Sequence, residues 1–378
     1  MTVMPSFPQA REHSSLARAG AVLTIDLAAI AANWRALAAR VGPSRCGAVV
    51  KADAYGLGAE HVAPVLAAAG CDTFFVAHLD EAIALRRVLP GPLRIAVLHG
   101  PLPGTEAEFL AHDILPVLNS PEQVAGFSRH AAVLGRRLRA IVQTDSGMSR
   151  FGLSRPELER LLAGDALQGL DLVLHMSHLA CADEPGHGAN AAQRQVFLDA
   201  VARLPGVPAS LSASSGIFLG ADFHFDLVRP GAALYGLAPQ PGMANALRPV
   251  VRLEGRVLQL REVPSATAVG YGHTARTAGK ARLATVGVGY ADGFLRSLSN
   301  AGAAWRGGVR LPVIGRISMD SIVIDVSALP EGTLSPGDAV DLIGPEQDVD
   351  ALARAAGTIG YEILTSLGAR YLRRYVHH

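Results

Sequence analysis

Between positions 45 and 235 the chain alternates short apolar runs with stretches in which apolar residues recur at helical spacing. The short runs, at 46–50, 73–77, 93–98, 115–118, 138–142, 170–175, 210–213 and 225–228, read as strands buried on both faces. The stretches 59–69, 80–89, 121–134, 156–163 and 190–204 read as helices with one apolar side. Such alternation builds parallel βαβ units, and eight of them are the number that closes a barrel, with chemistry at the carboxyl ends of the strands. From about 241–249 the pattern changes to alternating apolar and polar residues with frequent glycines. Segments 251–260, 281–286, 309–314 and 321–326 read as strands, and 348–356 and 361–367 as short helices. The expectation is an α/β chain: a flexible segment 1–20, a barrel over 21–245, and a mostly-β domain over 246–378. An early strand at 21–26, ahead of a helix at 27–41, is a candidate addition to the β domain.

Composition narrows the function classes. A chain of 378 residues exceeds the roughly 150 of a single domain. Lys and Arg total 34 against 33 Asp and Glu, so nothing favours nucleic acid as a partner, and a small substrate fits better. The three cysteines, Cys46, Cys71 and Cys181, contain no CxxC pair, as expected in a reducing compartment. The first twenty residues are polar and broken by Pro5 and Pro8, without the apolar stretch of a secretion signal. No apolar run approaches the ~18 residues of a membrane span, so a cytoplasmic protein is expected.

The strand-end residues come next. Lys51 ends the first run, in Ala48-Val-Val-Lys51-Ala-Asp-Ala-Tyr55-Gly-Leu-Gly58. An apolar setting lowers a lysine's pKa and favours the neutral amine that condenses with a carbonyl. Spacing alone leaves a solvated loop lysine equally open. Arg150, His178, Ser214 with Ser215, and Arg229 follow the fifth to eighth strands. Arg229 precedes a Pro-Gly turn whose amides suit an anion. His175, His178, Cys181, Asp183 and His187 suggest a metal, but no matching ligand pair stands elsewhere. A dinucleotide reading of Gly287-Val-Gly289 fails because Asp292 holds the third glycine position.

Seven motifs together are similar to the alanine racemases. They are the lysine segment, Asp145-Ser-Gly-Met-Ser-Arg150, Val228-Arg-Pro-Gly-Ala-Ala-Leu-Tyr-Gly236, Val269-Gly-Tyr-Gly-His-Thr274, Gly289-Tyr-Ala-Asp-Gly293, Gly315-Arg-Ile-Ser-Met-Asp320 and Gly360-Tyr-Glu362. The resemblance runs from about Val22 to Tyr371. It implies a (β/α)8 TIM-like barrel followed by a C-terminal mostly-β domain, in a homodimer whose active sites combine both chains. It also implies pyridoxal 5'-phosphate as cofactor and the interconversion of L- and D-alanine, for peptidoglycan or for alanine catabolism.

By the same resemblance, Lys51 would carry the cofactor and act as the base for D-alanine, with Tyr271 as the opposing base for L-alanine. A phenol needs positive neighbours to serve as a base, and His178 and Arg229 match the family's residues there. Arg229 would face the pyridine nitrogen. Tyr55, Ser215, Gly231, Ala232 and Tyr361 align with phosphate-holding positions. Arg150 and the Met319 amide would bind the substrate carboxylate, while Tyr290 and Tyr361 would narrow the entrance. No metal is implied.

Three positions depart from the family pattern. Gln143 stands where many members carry a lysine, often carbamylated, so weaker pinning of Arg150 and no CO2 dependence are expected. Leu211 and Ser214 replace a histidine and an asparagine, which shortens the expected hydrogen-bond chain behind Arg229. A broad-specificity amino-acid racemase is the close alternative. A non-catalytic PLP-binding protein is a more distant one, since that class lacks the β domain bearing Tyr271.

Overall fold

The computed structural model describes residues 16–89 and 91–377. They fall into two units, Ala28–Arg248 and Pro249–His378 with the N-terminal residues through Leu27. Of the expected flexible segment 1–20, positions 1–15 lie outside the described residues.

In the first unit the apolar runs form parallel strands because both of their faces are buried. Phe74, Phe75, Ile95, Ala96, Val97, Val117, Leu118 and Ile141 are at most 1% exposed, as in a barrel packed inside and out. The strands are Arg45–Cys46 continuing as Ala48–Val49, then Thr73–Val76, Arg94–Val97, Leu115–Leu118, Leu138–Gln143, Leu170–Met176, Ala209–Ser210 and Leu227–Val228. Seven neighbours pair in chain order, and the ring closes through the eighth. Leu227–Val228 pairs in parallel with Arg45–Cys46, and Gly47 N and Val49 N donate to Val228 O and Pro230 O at 2.9 and 2.8 Å. On its other side Arg229 N donates to Ser212 O at 2.9 Å. This is a (β/α)8 barrel.

Local signals start and stop the return helices. Pro121–Leu134 begins with Ser120 Oγ accepting Gln123 N and stops at Gly135 in a left-handed conformation. The helix Glu106–Ala111 is not foreseen from the sequence, because six residues are too few to show a period. The seventh strand stops early as the chain turns toward the 3-10 segment Ser215–Phe218, the eighth starts late behind the 3-10 segment Ala221–Phe223 and Phe225 at φ 53°, and the 3-10 segment Ala232–Tyr235 follows it. Those turns bring side chains and amides to the barrel rim.

The second unit is mostly β. Its sheet runs Val309–Pro312, Ala303–Arg306, Ala339–Ile343, Val251–Val263, Ala21–Asp26, Leu372–Val376, and Ala281–Val286 joins Val251–Val263 to Ile322–Asp325. The long strand shifts register between Val257 and Gln259, so its first half pairs with Ala21–Asp26 and its second with Ala281–Val286. Ala21–Asp26 therefore lies inside this sheet, antiparallel to Val251–Val263 and parallel to Leu372–Val376. The last strand escapes the sequence reading because adjacent Arg373 and Arg374 break its alternation. Among the described residues no helix is long and apolar enough to cross a membrane.

Candidate functional site

Val50 N donates to Phe75 O at 2.9 Å, holding the first strand's end in line with the second, and Lys51 leaves from that end half-buried. The next four residues, Ala52, Asp53, Ala54 and Tyr55, all have positive φ, from 52 to 57°. They form one left-handed turn without a glycine, at roughly 1–2 kcal/mol per residue, so surrounding bonds must hold it. Ala54 N donates to Val50 O and Gly58 N to Asp53 O, both at 2.9 Å. The Asp53 carboxylate accepts Ala59 N at 2.7 Å, and Glu81 Oε1 accepts Ala52 N at 2.6 Å. The turn buries Tyr55 with its ring centroid 4.7 Å from that of Tyr235, whose hydroxyl donates to Val49 O at 3.0 Å. Burial, then the charge of Arg150, push the Lys51 ammonium's pKa below its ordinary value, while Glu81 opposes them.

Arg229 is 2% exposed. It donates to Ser177 O at 2.7 Å, Leu211 O at 3.3 Å, His178 Nδ1 at 3.4 Å and the Ser210 hydroxyl. Burial opposes its charge, yet guanidinium basicity keeps it cationic. Among the described residues its partners include no carboxylate, and its Nε–H has no acceptor. Leu211 thus contributes a backbone carbonyl to Arg229. His178 is pushed down to about 3 by burial and by Arg229, Arg150 and Lys51, so it is neutral. With Nδ1 accepting from Arg229, its proton sits on Nε2.

At the turn after Arg229, Ser214 Oγ accepts from Gly231 N at 3.0 Å and Ala233 N at 3.1 Å. Of the two amides expected to face an anion, Gly231's is therefore engaged. Ala232's has no acceptor among the described residues. A Cβ at Gly231 would overlap the Tyr55 hydroxyl, so glycine lets backbone and phenol meet there. Ser215 opens the adjacent 3-10 turn, half-buried.

Arg150 is exposed and lies over the Phe151 ring at 5.9 Å. No hydrogen bond or ion pair joins it to Gln143 or to another described residue. Gln143 is buried on the fifth strand, and its amide makes no hydrogen bond to Arg150. A cavity of about 450 Å³ opens beside Arg150, lined also by Asn119, Gln123 and Asp145. Reasoning from sequence missed Glu81, His78 and His99. His78 and His99 follow the second and third strands with ring centroids 4.6 Å apart, and His99 stacks on Phe151 at 5.3 Å. Burial, then His78 and Lys51, lower the His99 pKa, and the strand-end rule applied evenly would have found both. His175 is fully buried, bonded to Thr144 Oγ1 at 3.0 Å and set against Phe197, apart from His178. Among the described residues no three His, Cys, Asp or Glu side chains could hold a metal ion together.

In the second unit Tyr271, Tyr290, Met319 and Tyr361 are 69, 42, 52 and 39% exposed. Their loops are bound to one another. Tyr290 N and Ala291 N donate to Ser318 O and Met319 O, both at 3.0 Å, and Gly368 N to Asp292 O at 3.0 Å. Arg370 grips Asp292 at 2.6 and 2.8 Å and Asp320 at 2.6 Å, fixing both ends of this group. Gly270 and Gly315 have positive φ, and Gly270 packs beside Arg316, which brings the Tyr271 turn alongside the Met319 loop. The Met319 amide has no acceptor among the described residues.

The model for the N-terminal domain of alanine racemase matches residues 25–239, and that for its C-terminal domain matches 250–375. The catabolic alanine racemase of Agrobacterium fabrum is 55% identical over 355 residues, 94% of this chain and 92% of that one. The alanine racemase of Brucella canis is 50% identical over 386 residues, covering 98% and 97%. The crystal structure of Bartonella henselae alanine racemase with covalently bound pyridoxal phosphate has a TM-score of 0.92 at 43% identity, covering 95% of this chain and all of that one.

Proposed function

The chain belongs to the alanine racemase family, and on that premise we propose that it interconverts L- and D-alanine with pyridoxal 5'-phosphate. The observation that carries this reading is a lysine of lowered basicity, Lys51, on the same barrel rim as a buried guanidinium, Arg229, whose Nε–H is unused. The residues fit the cofactor. The Nε–H suits the pyridine nitrogen, and the Tyr55 hydroxyl, Ser215 and the Ala232 amide suit a phosphate. Gly231, lacking a Cβ, lets the Tyr55 hydroxyl stand against its backbone. By resemblance, Tyr361 aligns with a further phosphate-holding position.

When bound, pyridoxal 5'-phosphate supplies an electron sink for the charge left when a proton leaves the substrate Cα. Lys51 would hold the cofactor and, with substrate in place, would move the Cα proton on the D side. Tyr271 moves it on the L side, because a racemase must remove the proton from one face and return it to the other. Arg150 and the Met319 amide orient the carboxylate. Arg229, always cationic, would face the pyridine nitrogen and disfavour its protonation. Neutral His178, its Nδ1 held by Arg229, offers its Nε2–H to this neighbourhood.

Tyr271, Tyr290 and Met319 are exposed on one face of their unit, which supports a homodimer in which they complete the partner's barrel site. Tyr290 and Tyr361 then narrow the entrance and favour a methyl side chain. The relatives' names favour alanine over a broad-specificity racemase, and likeness to the A. fabrum enzyme favours a catabolic role over D-alanine supply for peptidoglycan. Free Cys46, Cys71 and Cys181 support a cytoplasmic setting. The test is a chiral assay of purified protein on L-alanine, L-serine, L-lysine and L-arginine, with the absorbance spectrum before and after borohydride. Racemic alanine and a visible band lost on reduction, with the label on Lys51, are expected. Absence of the band overturns the proposal.

A further inference from the structure

One carboxylate on the barrel rim does more than cap a helix. Glu81 lies in the first turn of the helix Leu79–Val88, and its Oε2 accepts Ala77 N at 2.8 Å and His78 N at 3.0 Å, the two amides beyond the second strand. Its Oε1 reaches the neighbouring loop and accepts Ala52 N at 2.6 Å, the amide directly after Lys51. That amide opens the left-handed turn, four strained residues without a glycine, where an anchor has the most to hold.

We propose that Glu81 is a positioning residue for Lys51: its carboxylate ties the peptide after the lysine to the second strand's end and sets a negative charge beside the amine. This deepens the reading of Lys51 given above and rests on it. Three N–H donors from two loops converge on one side chain, so losing it frees the turn's entry and the direction in which Lys51 leaves the strand. The ionisable groups around the lysine are Arg150, His99 and His178 besides Glu81. Arg150 works against the ammonium, and neutral His178 does not offset it. Glu81 opposes burial and Arg150 and holds the amine's basicity up.

The experiment uses the full chain, freed of bound carbonyl compounds with hydroxylamine and shown to be folded by its thermal transition. Acetylation of Lys51 is followed against pH by peptide mass spectrometry, and hydrogen exchange is measured over 51–55. Glu81→Gln keeps the shape but loses the charge. It is expected to lower the midpoint of Lys51 reactivity by about half a unit, roughly threefold faster labelling below the midpoint. Exchange of the turn should also rise. Glu81→Asp keeps the charge but not the reach, so exchange should rise while the midpoint stays near that of the unsubstituted chain. Unchanged midpoint and exchange in the Gln variant overturn the proposal; if that variant does not fold, unchanged exchange in the Asp variant does so. Neither readout involves racemisation, so failure here is distinct from failure of the proposed activity.

Discussion

Adding one methyl group at Gly231 tests how the phosphate end of the site is built. Gly231 has φ −126° and ψ −83°, outside the left-handed region but also outside the helical and extended ones, so Gly231→Ala adds a backbone cost that is common to both backgrounds compared below. Its Cβ would overlap the Tyr55 hydroxyl and stand 3.2 Å from Val49 Cβ. Tyr55 is boxed in by Tyr235 and cannot simply swing aside. Overpacking of this kind costs about 1–3 kcal/mol, relieved by displacing the phenol from its place. A charged phosphate that loses a hydroxyl donor weakens by roughly 1.5–3 kcal/mol, about 10- to 100-fold in Kd. Titration of the cofactor-free chain with pyridoxal 5'-phosphate, read by absorbance, measures that ratio. In a Tyr55→Phe background the obstructing oxygen is gone, and Gly231→Ala should then change Kd by less than about threefold. Equal losses in both backgrounds, or none in either, would refute the steric argument.

Two further outcomes follow from the same geometry. Burial pushes the His175 pKa down to about 4, against the ordinary 6.5 of a histidine in the unfolded chain. Its stabilising contribution is therefore complete above that value and lost as pH falls through the window, at up to about 1.4 kcal/mol per pH unit. Denaturant midpoints from pH 7 to 4.5 should show this fall, and His175→Phe should make it shallower, leaving the part that His178 and His99, also pushed down in the fold, contribute. In mixtures of inactive Lys51→Ala and Tyr271→Phe chains, hybrid dimers should regain activity because one of their two sites is intact. No recovery despite mixed dimers shown by native mass spectrometry would remove the shared site.

The barrel was legible because its strands are buried on both faces and its helices on one, so the two patterns differ in period. What escaped has physical reasons. The left-handed turn 52–55 is spelled with alanine, aspartate and tyrosine, and its handedness is imposed by Glu81, Asp53 and the strand ends. The engagement of the Gly231 amide by Ser214 could not be read from a motif, because it depends on two loops 17 positions apart. Lys51 and Arg229 were visible as strand-end cations, whereas Glu81 looked like an ordinary helix-starting acid.

The central claim is that two bases, Lys51 and Tyr271, work on opposite faces of one substrate. Tyr271→Phe removes the phenol from a residue that is 69% exposed, so the fold should be spared. In heavy water, the rate at which deuterium enters the α position is measured separately from L-alanine and from D-alanine. The account predicts that exchange from L-alanine falls far more than exchange from D-alanine, which Lys51 still serves. Equal residual exchange from both isomers would contradict it.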